Sequence, residues 1–140
     1  MKKKIVVGLI FATIAILSAT CSGASDEPAV IISGLVDTTI SAESLKGMDM
    51  VDVEFTEKDD SVSTYTGVKI VDVLDSAGIS DFSVLTMIAS DDYAANVTAS
   101  ELAACENCII ASDGEGGWRS VLPGFSGKLQ VKNLIELAVQ

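Results

Sequence analysis

Thr66-Gly67-Val68-Lys69-Ile70-Val71-Asp72-Val73-Leu74-Asp75-Ser76-Ala77-Gly78 is the stretch from which the fold is read. Ile70, Val73, Leu74 and Ala77 recur at i, i+3, i+4 and i+7, whereas Lys69, Asp72, Asp75 and Ser76 take the opposite side, so the spacing predicts an amphipathic helix. Gly78 follows as its C-terminal stop. Upstream, Val51, Val53 and Phe55 alternate with Asp52 and Glu54, the period of a strand with one face in water. Downstream, Ser83 to Ala89 and Cys108 to Ala111 are apolar on both parities, which predicts central strands covered on both sides.

Local signals fill in the rest. Thr98-Ala99-Ser100-Glu101 is a capping box, predicting a helix from Thr98 to about Ala104. Ser41 caps a short turn through Leu45 that Gly47 ends. Trp118 to Leu122 reads as a strand halted by Pro123-Gly124, and Lys128 to Val131 as another extended piece. Many strands, short helices and irregular connections give the class α+β rather than a doubly wound sheet.

The chain has 140 residues, 49% apolar and 5% aromatic, with 20 acids, 9 Lys or Arg and no histidine. That length allows one domain. Without histidine there is no Ser-His-Asp or Cys-His nucleophile and no His-ligated zinc. Lys2, Lys3 and Lys4 precede the apolar run Ile5 to Leu17, the pattern of an export signal, so residues 1–20 are read as a signal peptide. Removing those three cations leaves six against 20 acids, a formal charge of −14, which excludes nucleic acid as a partner.

Leu17-Ser18-Ala19-Thr20-Cys21 resembles the lipobox of bacterial lipoproteins, with Leu17 one place early and Thr20 where Gly or Ala is usual. Lipidation at Cys21 is the favoured reading, over a cut at Ser22-Gly23-Ala24 and simple secretion. Residues 21–28 then form a polar tether, and 29–140 the domain. The expected location is extracytoplasmic, at the cell surface or in a periplasm, anchored to the membrane by lipid.

Cys105-Glu106-Asn107-Cys108 is a CxxC motif. A redox pair sits at a helix N-terminus, where its thiol pKa is lowered, but Cys105 follows the predicted helix. Zinc lacks its further ligands. A local disulfide between Cys105 and Cys108 is the expectation, with a redox pair or metal-linked thiols as alternatives. Glu57-Lys58-Asp59-Asp60 and Asp91-Asp92 lack EF-hand spacing and read as solvated turns. Asn96-Val97-Thr98 is a glycosylation sequon whose threonine the capping role already explains.

From Gly116 to Leu134 the chain holds Arg119, Lys128 and Lys132, three of its six cations outside the leader, set among glycines that let backbone amides approach a ligand. Spacing alone leaves two readings open: an anion site, or cations that neutralise neighbouring carboxylates.

This region and the stretch before it resemble the molybdopterin-binding domain of the sulfite oxidase family. Tyr65-Thr66-Gly67-Val68-Lys69-Ile70-Val71-Asp72-Val73-Leu74 matches the family's Gly-Val step into an L-x-D-L-L helix. Ala89-Ser90-Asp91-Asp92-Tyr93 matches its Ala-Ser-Asp-Gly-Tyr strand end. A helix, a strand and a turn follow, then Arg119 to Gly124 for R-L-V-V-P-G and Gly127 to Leu134 for G-x-x-x-V-K-W-L. The resemblance implies a sulfite-oxidase-like mixed β-sheet fold and a pterin-bound molybdenum centre, with a cysteine thiolate on the metal and basic residues near the pterin phosphate. That cysteine is expected about where this chain reads Phe55-Thr56-Glu57-Lys58, and no cysteine stands between Cys21 and Cys105.

The expectation is therefore a stand-alone domain that binds a pterin, molybdopterin or other small anionic ligand, with molybdenum disfavoured. Lys128 and Lys132 would hold the anionic end and Arg119 support them. The alternatives are a ligand-free module that binds a protein partner, and an oxidoreductase using cofactor-held molybdenum or the Cys105/Cys108 pair.

Overall fold

The structure, a computed structural model, describes residues 28–140. The predicted leader, the lipidation site Cys21 and the tether up to residue 27 lie outside the described residues. Pro28, the tether's last residue, opens the first strand.

Val62–Lys69 is a strand, β4, that passes at Lys69 into a helix, α2, over Ile70–Ser76. Before it come β1 (Pro28–Gly34), β2 (Thr38–Ser41), a short helix α1 (Ala42–Lys46) and β3 (Met50–Thr56). After it come β5 (Val84–Ala89), β6 (Ala94–Thr98), α3 (Ala99–Ala103), β7 (Ile109–Ser112), β8 (Trp118–Val121), a 3-10 turn at Gly127–Leu129 and β9 (Leu134–Val139). The strands form a five-stranded sheet in the order β2-β1-β9-β5-β6 and a four-stranded sheet in the order β3-β4-β7-β8. The first sheet is mixed, since β1 and β9 run parallel while its other pairs are antiparallel.

The caps fall where the sequence places them. Ser41 Oγ accepts from the Ser44 amide at 3.1 Å. Thr98 and Glu101 make the reciprocal capping box. Hydrogen bonds from the Thr98 backbone and then its side chain hold the Glu101 carboxyl below the usual carboxylate range. In α2, Ile70, Val73 and Leu74 are buried and Gly78 adopts φ 79° after the helix.

One face of each sheet enters a shared core with Ile32, Leu45, Leu74, Met87, Ile110 and Leu137 among its members. The four-stranded sheet has a second, smaller core on its other face: Val53, Ile109, Ala111 and Val121, with Val51, Phe55 and Tyr65 packed against them. β7 is accordingly covered on both sides, as its double-parity pattern predicts.

Three expectations need correction. β5 lies between β9 and β6, but only Leu85, Met87 and Ala89 are buried; Val84, Thr86 and Ile88 face the outer side of the sheet and are half-buried. Residues 94–98 form a strand pairing with β5 before α3 begins, where the family pattern places a helix directly. Gly127–Leu129 is a 3-10 turn rather than extended chain, because the Leu129 and Gln130 amides bond to the carbonyls of Ser126 and Gly127.

Candidate functional site

β8 turns its residues alternately to the two cores, and Arg119 shares a face with Val121. Arg119 pairs with Ala111 of β7, which in turn pairs with Gly67 of β4. Ala111 carries one methyl and Gly67 no side chain, so the guanidinium can cross β7 and reach Tyr65 on β4. A Cβ added at Gly67 would stand 2.7 Å from the Ile110 carbonyl carbon and 2.8 Å from Ala111 Cα, so close approach of β4 and β7 requires glycine.

Arg119 Nη1 donates to the Tyr65 oxygen at 2.8 Å, and its Cζ lies 4.5 Å from the ring centroid. Tyr65 donates its own proton to Glu57 Oε1 at 2.6 Å. Burial, followed by the hydrogen bond to Glu57, raises the Tyr65 pKa above the ordinary phenol value; the Arg119 charge opposes the rise. Arg119 is 7% exposed, and its Nε is buried with no hydrogen-bond partner among the described residues. An unpaired buried donor costs about 1–3 kcal/mol, more when charged, so this atom marks a place where an acceptor is wanted.

The loop from β8 to β9 is fixed by side chains. Gln130 makes a pair of bonds to the Leu122 backbone, 2.8 Å as acceptor and 2.7 Å as donor. Ser120 Oγ donates to the Leu129 carbonyl and accepts from the Val131 amide, both at 2.8 Å. Tyr93 adds a bond to the Lys128 carbonyl at 2.8 Å. The loop therefore presents Lys132 from a pinned backbone, while Asn133 takes a left-handed φ of 52° before β9.

Between this loop and the end of β3 lies a hollow of about 750 Å³, within the size range of small-molecule sites. Its charged lining is Lys58, Arg119 and Lys132 with Glu54, Glu57 and Asp59, and Phe55, Pro123 and Phe125 supply apolar wall. Hydrogen bonds from the Ser61 side chain and backbone hold Asp59 below the usual carboxylate range. The formal charges of the hollow cancel, in a chain of net charge −11, so the hollow is positive relative to its surroundings.

Of the three cations expected at the site, the structure brings Arg119 and Lys132 to this hollow and leaves Lys128 exposed outside its lining. The missed members are Lys58 and Glu57 in the lining, and Tyr65, which lies outside it and joins Arg119 to Glu57. A signal for the first two existed: Phe55-Thr56-Glu57-Lys58, where the family resemblance places a metal-binding cysteine, lies on the wall.

Among the described residues no sulfur lines the hollow. Cys105 and Cys108 are joined to each other as a disulfide with Cα atoms 5.7 Å apart. Cys108 is buried in the main core, and Cys105 borders a separate hollow of about 570 Å³ with Glu101, Glu106 and the Pro123–Phe125 turn. Asp91 and Asp92 form a tight turn, with Asp92 at φ 66° and Asp91 Oδ1 accepting from the Tyr93 amide. Among the described residues no group of three or more His, Cys, Asp or Glu could hold a metal ion. Asn96 is exposed on β6, an edge strand.

No protein-family model and no curated protein matches the chain. Among solved structures, the crystal structure of the sulfane dehydrogenase SoxCD from Paracoccus pantotrophus matches 81% of this chain with a TM-score of 0.67 and 16% sequence identity. The chain corresponds to 38% of that chain's length. At this identity the likeness is one of fold: the protein has a sulfite-oxidase-like mixed α+β architecture, as its motif order leads one to expect.

Proposed function

We propose that this protein is an extracytoplasmic, lipid-tethered domain that binds a pterin-type or other small anionic ligand in the Arg119–Lys132 hollow, without molybdenum–thiolate chemistry. The observation that carries the reading is the buried Arg119, which lines a ligand-sized hollow and whose Nε lacks an acceptor. A ligand oxygen bonded to this guanidinium would make a charge-assisted hydrogen bond, the strong kind. Lys132 faces the same space from the pinned loop, and Phe55 and Phe125 offer flat apolar surface to a ring.

The anionic end of a pterin cofactor fits these residues, whereas a molybdenum centre that relies on a protein thiolate does not. The wall where a thiolate would stand carries Glu57, engaged by Tyr65, and both described cysteines are spent on their own disulfide. Carboxylate is a hard ligand and a poor replacement for sulfur on a metal that favours thiolate. What this chain's own residues do is bind and orient: Tyr65 fixes the Arg119 plane, and Gln130 and Ser120 fix the loop that carries Lys132.

The test is to purify the protein from its native host and measure pterin fluorescence after oxidation together with molybdenum content. Pterin or another anion without molybdenum is the expected result. Stoichiometric molybdenum would overturn the metal-free reading, and absence of any bound ligand would favour the partner-binding module. Intact mass of the mature chain tests acylation of Cys21.

A further inference from the structure

An anion receptor has no evident use for three carboxylates, yet Glu54, Glu57 and Asp59 share the hollow with its three cations. We infer that the hollow selects a phosphate group that still carries a proton and rejects a tetrahedral anion that carries none, such as sulfate; this rests on the anion-binding reading of the same site.

The donors come first. Arg119 lines the hollow and its buried Nε has no acceptor, and Lys58 and Lys132 line the same space. The Tyr65 phenol adds nothing to them. Its one proton goes to Glu57 at 2.6 Å and its oxygen already accepts from Arg119 at 2.8 Å. The acceptors come next. Asp59 is turned to its own loop, where Oδ1 receives the Ser61 amide and hydroxyl. Glu57 is half-buried, and its Oε1 takes the tyrosine proton while Oε2 remains a second acceptor on the same carboxylate.

An oxyanion drawn in by Arg119 and Lys132 therefore meets the Glu57 carboxylate in the same lining. Sulfate would set a bare oxygen against it, two acceptors with no proton between them and charges of like sign. Hydrogenphosphate has the same charge and shape but supplies an O–H that Glu57 can accept. Discrimination here comes from the repulsive element as much as from the attractive one, and a site built to bond a ligand hydroxyl disfavours the analogue that lacks it. The same chemistry is offered by free phosphate or by the singly protonated monoester end of a larger ligand.

The test is calorimetric titration of the full chain near pH 8 at constant ionic strength with inorganic phosphate, there the hydrogenphosphate dianion, and with sulfate. Phosphate should bind at least about tenfold more tightly. Glu57→Gln keeps an acceptor for Tyr65 and adds an amide donor, so in this variant sulfate should gain affinity and approach phosphate. A gain of binding is readable only in folded protein. Equal affinities in the wild-type chain, or undiminished discrimination in Glu57→Gln, would overturn the selectivity alone. Failure of both anions to bind the wild-type chain would overturn the anion-binding reading with it. Phenyl phosphate near pH 5.5, below its second pKa of about 6, separates the sources. Binding tighter than that of inorganic phosphate at the same pH assigns the site to a monoester with a flat body, and weaker binding assigns it to free phosphate.

Discussion

The Arg119 guanidinium lies over the Tyr65 ring, Cζ 4.5 Å from the centroid, and also donates Nη1 to the phenol oxygen at 2.8 Å. Two contacts of different geometry fix the plane of one side chain, and both depend on small residues at Ala111 on the intervening strand β7 and at Gly67 beside it on β4. The orientation of the proposed anion donor is thus built into the sheet.

Tyr65→Phe keeps the ring and removes the hydroxyl. Arg119 Nη1 loses its acceptor and Glu57 loses its donor, so stability should fall by about 1.5–3 kcal/mol, the usual range for hydrogen bonds to charged groups. Urea unfolding with an unchanged m-value checks this. A variant as stable as the wild type would show that water replaces the hydroxyl at no cost.

Burial, then the bond to Glu57, raises the Tyr65 pKa, so the folded state holds the phenol proton more tightly than the unfolded chain does. The stabilisation from this group is fully present below the unfolded value of about 10 and is lost as pH rises through the folded one. Tyr93→Phe leaves Tyr65 as the sole tyrosine, and its ultraviolet titration should have a midpoint above 10. A midpoint at or below that value would contradict the half-buried, proton-donating assignment.

Gly67→Ala should destabilise by roughly 1–3 kcal/mol, the overpacking range, because its methyl would press on the backbone of Ile110 and Ala111. The same push separates β4 from β7 and so moves Tyr65 away from Arg119. Thermal unfolding and anion affinity should both fall. Loss of neither would mean the strands part easily.

The Cys105–Cys108 bridge closes a very short loop, for which the chain-entropy argument gives about 2 kcal/mol. The double variant Cys105→Ser, Cys108→Ala should lose roughly that stability and keep its anion affinity, since neither residue lines the Arg119 hollow. A large loss of affinity at unchanged fold would tie the disulfide to the ligand.

Local features were legible in the chain. The α2 period, the Ser41 and Thr98 caps and the buried pattern of β7 depend on neighbours a few residues away, where spacing carries the information. β6 was hidden because Ala94-Ala95-Asn96 holds no β-branched or aromatic residue, Thr98 reads as a helix cap, and the strand state comes from pairing with β5. Arg119 and Lys132 could be picked out as cations in a glycine-rich stretch. The exclusion of Lys128 could not be seen, because the 3-10 turn and the Gln130 clamp decide which way the loop faces. The Glu57–Tyr65–Arg119 chain needs the register of three strands, which no one-dimensional pattern states.

The central claim is that the Arg119–Lys132 hollow is a metal-free anion receptor. Its most direct test is calorimetric titration of a pterin phosphate monoester into the full chain and into Lys132→Ala, whose altered side chain is exposed and leaves the fold intact. A charge-assisted bond is worth about 1.5–3 kcal/mol, so the variant should bind roughly 10- to 100-fold more weakly with no metal added. Equal affinity in the two proteins, or binding only after molybdenum is supplied, would contradict it.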